Sequence, residues 1–127
     1  MNSLHARDEL TTDELQELVV ASLEDFKAVD IQVIDVSGRN PLTERMVIAS
    51  GSSTRHVKST AENVVVKAKA KGHKPLGIEG ANEGEWVLVD LNDVIVHVML
   101  PQTRAFYNLE KLWEASAEHR SGVSTSV

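Results

Sequence analysis

The sequence predicts an α/β domain built on a single mixed β-sheet covered by helices. Three observations carry the prediction. Apolar residues recur at three- and four-residue steps in three separate stretches, short β-branched runs lie between them, and Gly, Asn, Asp, Ser or Pro residues punctuate the boundaries. The length of 127 residues suits one such domain, since a chain of this size hides roughly two-thirds of its unfolded surface without needing staples.

Thr11-Thr12-Asp13-Glu14 marks the first helix start, with Thr11 and Glu14 at capping-box spacing and acids in the first turn, where the helix dipole favours them. Leu15, Leu18, Val19, Ser22, Leu23 and Phe26 then trace one amphipathic face to about Lys27. Residues 30–36 form a β-branched strand closed by Ser37-Gly38-Arg39-Asn40-Pro41, and Met46 to Ala49 form a second, shorter one. Gly51-Ser52-Ser53-Thr54 breaks that strand. Val57, Ala61, Val64, Val65 and Ala68 mark a second helix ending at Gly72, with Lys67, Lys69, Lys71 and Lys74 crowding its C-terminal end.

Leu76 to Glu79 read as a third strand and Gly80 to Gly84 as a flexible loop. Trp86 to Leu91 and Val94 to Met99 are apolar strands joined by Asn92-Asp93, residue types that tolerate the positive φ of a tight hairpin. A last helix begins near Pro101-Gln102-Thr103 and is expected to place Phe106, Leu109, Leu112 and Trp113 on its inner face. Residues 12–118 thus make one α/β domain with no repeat or linker, preceded by a flexible N-terminus (1–11) and followed by a disordered tail (119–127) rich in Ser, Gly and Thr.

Composition excludes several function classes. There is no cysteine, so disulfide scaffolds, thiolate metal sites and cysteine enzymes are ruled out. The apolar runs are too short to span a bilayer and the first residues are too acidic for a transit peptide, which leaves a soluble cytoplasmic chain. The formal charge of -6 conceals segregation: residues 1–30 carry -6, residues 51–75 carry +5 and residues 76–100 carry -5. A nucleic-acid binder shows a dominant basic field, whereas here an acidic stretch is as prominent as the basic one. A basic protein partner fits that pattern, and so does an ordinary solvated surface.

Motifs for chemistry are sparse. Gly51-Ser-Ser-Thr-Arg55 at a strand–helix junction offers backbone N–H groups and Arg55 to a phosphate, or simply a bend and a helix cap. No GxxxxGK[ST] or GxGxxG run is present. A Gly-Ser pair at such a junction also begins the nucleotidyltransferase signature, which requires two metal-binding acids on the next strand. The acids that follow are Glu62, inside the helix, and Glu79, while Asp90 and Asp93 straddle a turn. No metal or cofactor is expected. His97, between Val96 and Val98, reads as a structural histidine hydrogen-bonded within the sheet, and His5, His56, His73 and His119 are scattered. Trp86 opens a strand, where it is either an exposed interface anchor or part of the core.

Six strings in register resemble the ribosomal silencing factor family, also called RsfS or Iojap-like proteins: Leu23 to Ile31, Gly51 to Val57, Gly77 to Gly80, Trp86 to Asp90, Asp93 to Val98 and Tyr107 to Trp113. The likeness runs over roughly residues 12 to 114. It implies a fold similar to nucleotidyltransferases without their catalytic acids, and a translation factor rather than an enzyme. Such a factor docks on protein L-fourteen of the large ribosomal subunit, prevents the small subunit from joining, and represses translation in starvation or stationary phase. A homodimer is also implied.

Carried over by position, Trp86 matches the family's interface tryptophan, and Glu79 and Asp90 match its characteristic acids. Arg55, His97, Tyr107 and Trp113 fall on motif positions whose roles the motif leaves open. The chain departs from the family pattern at Glu44-Arg45, where an Asp is usual, and at Asn92, where a glycine is usual. The expected mechanism is steric occlusion with electrostatic guidance: the acidic 76–100 segment steers the domain to a basic ribosomal protein, and Trp86 with Leu88 and Met99 forms the buried anchor. Lys58, Lys67, Lys69, Lys71 and Lys74 offer a peripheral contact to ribosomal RNA. The alternative reading is a nucleotide-binding protein or small nucleotidyltransferase using the Gly51-Ser52 turn.

Overall fold

A computed structural model describes residues 10–113. Helix α1 (Thr12–Asp25) leads into the hairpin β1 (Val29–Asp35) and β2 (Arg45–Ser50). Helix α2 (Thr54–Ala70) follows, then β3 (Gly77–Glu79), β4 (Trp86–Asp90), β5 (Val94–Met99) and α3 (Pro101–Tyr107). The expected 1–11 and 119–127 ends, with His5 and His119, lie outside the described residues except for Leu10 and Thr11.

The start of α1 is set by the capping box read from the sequence. The Glu14 N–H donates to Thr11 Oγ1 at 3.1 Å, and the Thr11 N–H donates to Glu14 Oε1 at 2.9 Å, so two otherwise unpaired donors are satisfied together. At α2, Ser53 is the cap, its hydroxyl accepting the His56 N–H.

The five strands pair in the order β1-β2-β5-β4-β3. The contact between β2 and β5 is parallel and the other three are antiparallel, giving the predicted mixed sheet. Because successive strand residues point to opposite faces, each strand splits its side chains between two environments. Val47, Ala49, Val87, Val89, Val94, Val96 and Val98 meet Leu15, Val19 and Leu23 of α1 and Val57, Ala61, Val64 and Ala68 of α2 in one completely covered core. Ile34, Met46, Ile48 and Met99 lie in a second, smaller cluster packed by Trp86, Leu109 and Trp113.

Two expectations change. Phe26 does not continue the inner stripe of α1: it is the C-cap residue, and 41% of its surface is exposed. The last helix is not continuous either, because Asn108 adopts the left-handed conformation (φ 54°) and ends α3. A new helical turn then runs from 109 to 113. That break rotates the apolar stripe. Leu109 and Trp113 reach the second core, while Phe106 and Leu112 are 79% and 63% exposed.

Gly80, at the end of β3, allows the loop to approach β4 closely. Its φ is +83°, and a Cβ there would stand 2.0 Å from the Trp86 carbonyl oxygen. Gly80→Ala should therefore destabilise the domain by at least about 1 kcal/mol, a fall in Tm of about 4 °C or more in thermal unfolding. An unchanged Tm would show that the loop does not depend on this close approach.

Candidate partner-binding face

The β4–β5 hairpin turns at Asn92, whose φ is 76°, and Asp90 Oδ1 accepts the Asn92 N–H at 2.9 Å. This closure sets Asp90 opposite Ile95, Leu88 opposite His97 and Trp86 opposite Met99. On the other side of β4, Glu79 stands opposite Leu88. Glu79, Trp86, Leu88, Asp90, His97 and Met99 consequently share the sheet face turned away from α1 and α2. Among the described residues, the turn at 109–113 reaches only part of that face, packing on the Ile34, Met46 and Ile48 side.

Four of the five residues expected at the interface reach the surface. Glu79 is exposed, and Trp86, Leu88 and Asp90 are partly so. The expectation for Met99 needs correction: it is completely buried beneath the second cluster and supports the face from within, with no surface to offer a partner. Trp86 proves intermediate between the two expectations for it, being half-buried.

Trp86 joins an aromatic group that the sequence reading did not assemble. Its Nε1–H donates to His97 Nδ1 at 2.9 Å. Its ring lies 4.9 Å from Tyr107, tilted by 52°, and Tyr107 meets Phe106 edge-on at 4.9 Å. The group therefore runs from a buried histidine to a largely exposed phenylalanine. Arg104 holds its outer part in place: Nε donates to Glu110 Oε2 at 2.8 Å and Nη1 to Ser50 Oγ at 2.9 Å. This tethers α3 and the following turn to the end of β2.

His97 accepts a sheet-internal hydrogen bond, as a structural histidine should, and from a side chain. An indole nitrogen can only donate, so His97 Nδ1 must be unprotonated and the neutral ring carries its proton on Nε2. That Nε2–H is buried and has no partner among the described residues. Burial also lowers the pKa of His97 from 6.5 to about 4, since a charged imidazolium is poorly solvated there.

The Gly51–Arg55 turn uses its polar groups locally. The Ser52 N–H donates to His56 Nδ1 at 2.8 Å, and His56 Nε2 lies 2.5 Å from the Phe26 carbonyl oxygen, which ties the end of α1 to the start of α2. Gly51 lets Val57 approach closely, and Arg55 is exposed on the first turn of α2. The Ser53 cap and the close approach at Gly51 fit the bend-and-cap reading, and His56 adds a tie between the two helices. Among the described residues, no three His, Asp or Glu side chains are placed to hold a metal ion, and no helix is long and apolar enough to cross a membrane.

The His97 environment makes stability depend on pH. Between pH 6.5 and pH 4 the unfolded histidine binds a proton that the folded one refuses, so stability is complete above this window and falls as pH drops through it. Between pH 7 and pH 4 the protein should lose about 3 kcal/mol more than His97→Leu does, measured by denaturant unfolding. Parallel losses in the two proteins would show that His97 does not titrate in this way.

Comparison with known proteins places the chain and its fold in a family. The family described as RsfS, ribosomal silencing factor during starvation, matches residues 9–126. The Ribosomal silencing factor RsfS of Chromobacterium violaceum is 48% identical over 100 residues, which cover 79% of this chain and 82% of the relative. A Chromobacterium violaceum crystal structure aligns with a TM-score of 0.81 at 46% identity, covering 83% of this chain and 88% of the other. The mouse protein named Mitochondrial assembly of ribosomal large subunit protein 1 is 37% identical over 76% of this chain and 44% of its own length. The chain belongs to the RsfS family of ribosomal silencing factors.

Proposed function

We propose that this protein silences translation by occupying the large ribosomal subunit through protein L-fourteen and sterically blocking the small subunit. One observation carries the reading: the open part of the sheet face combines a half-buried tryptophan with Leu88 and the acids Glu79 and Asp90. Amphipathic rings partly withdrawn from water are the residues that dominate protein contacts, and a rim of carboxylates suits a basic partner. The family's silencing role and the mouse relative's name, which refers to the large ribosomal subunit, support the choice of target.

Binding alone performs the function. The acids raise the encounter rate and orient the domain, the aromatic group anchors it, and the bulk of the domain fills space that the small subunit requires. Neither a nucleotide nor a metal enters this account. The proposal includes a cytoplasmic location, action in starvation or stationary phase, and a homodimer in the free state. The Gly51-Ser52 nucleotide reading gains no support from a turn whose groups cap and staple the helices.

Sedimentation tests the reading. The protein should pellet with large subunits and lower the fraction of joined ribosomes, and unchanged joining at excess protein would refute it. Trp86→Ala should weaken large-subunit binding by about 30-fold, read under conditions where circular dichroism shows the variant folded. Glu79→Lys with Asp90→Lys should reduce the association rate and flatten its salt dependence. Lys69 and Lys71 are exposed near the end of α2, and reversing both charges should weaken binding only if that end touches ribosomal RNA.

A further inference from the structure

We infer that His97 is a positioning residue for recognition: it consumes the only polar atom of the Trp86 side chain so that the partner meets the indole through its carbon surface. This rests on the proposal that the Trp86 face binds the large subunit. The indole N–H points inward to His97 Nδ1 at 2.9 Å, leaving ring carbons as the part of Trp86 that faces solvent. The partner group that complements it is therefore an aliphatic chain or a cation over the ring, with Glu79, opposite the neighbouring Leu88, to favour the cation.

The arrangement is costly for stability, which is why it points to function. His97 is 95% buried and its Nε2–H has no partner among the described residues, so the sheet carries a polar group that a leucine would remove. Its sheet neighbours are apolar: Ile48 pairs with it from β2 and Leu88 from β4. A packing role alone would be better served by an aliphatic side chain. What histidine adds is an acceptor under the indole, and with Tyr107 on the ring it fixes the tilt at which Trp86 is presented. A site that breaks a local rule of core composition marks a constraint other than stability.

The test compares the full chain with His97→Leu, His97→Asn, Trp86→Phe and the double variant Trp86→Phe/His97→Leu. Nuclear magnetic resonance reads the exchange rate of the Trp86 indole N–H, with that of Trp113 as internal reference. Sedimentation reads the Kd for purified large ribosomal subunits, and thermal unfolding reads Tm. His97→Leu should speed Trp86 N–H exchange and raise Kd, each by about tenfold, while Tm stays level or rises. Asparagine places an amide oxygen close to the Nδ1 position, so His97→Asn should restore slow exchange and affinity. The double variant should bind no more weakly than Trp86→Phe, because the histidine acts only through the indole N–H.

Unchanged exchange in His97→Leu would overturn the inference. So would faster exchange with unaltered affinity, or an affinity loss matched by a lower Tm, which is the signature of a merely structural residue. If the unmodified protein fails to bind large subunits, the choice of partner is wrong, and the exchange comparison by itself decides whether His97 positions Trp86.

Discussion

Leu91 and Val94 close on one another across a single tight turn, the Leu91 N–H donating to the Val94 carbonyl at 2.9 Å while Asn92 takes a positive φ. That closure fixes the register of β4 against β5, and the register decides which residues face the helices and which face the open side. A slip of one residue would exchange the two sets completely. It would push Val87, Val89, Val96 and Val98 out of the main core and draw Asp90 and His97 into it. Burial of the valines therefore enforces the same register that presents Trp86, Leu88 and Asp90 together, so the main core and the proposed binding face depend on one geometric constraint.

The two sheet faces differ in how they are finished. One is covered by two capped amphipathic helices whose buried side chains are all apolar apart from Ser22 and Thr60. The other is packed, among the described residues, by α3 and a single turn held through Arg104, Glu110 and Ser50. Phe106 and Tyr107, which meet edge-on, are 79% and 54% exposed among the described residues.

Much of this was legible in the sequence because local physics decides it. Thr11 and Glu14 identify a capping box, the valine periodicity of α2 identifies its buried side, and Asn92-Asp93 identifies the hairpin. The same hairpin carried an unused signal: a two-residue turn at 92 and 93 pairs 91 with 94 and hence 88 with 97, which puts His97 beside Trp86 on one face. The break at Asn108 was hidden because a regular apolar spacing continues through it, and only the left-handed residue redirects Leu109 and Trp113. The tilted contact of Tyr107 with Trp86, and the burial of Met99, depend on how α3 folds back on the sheet, a long-range choice that spacing does not encode.

The proposed recognition surface is the sheet face that α1 and α2 leave uncovered among the described residues. Cryo-electron microscopy of the protein bound to purified large ribosomal subunits tests it most directly. The account predicts that Glu79, Trp86, Leu88 and Asp90 lie against a ribosomal protein, with the solvent-exposed sides of α1 and α2 turned outward. A complex in which α1 and α2 form the contact and Trp86 remains in solvent would contradict it.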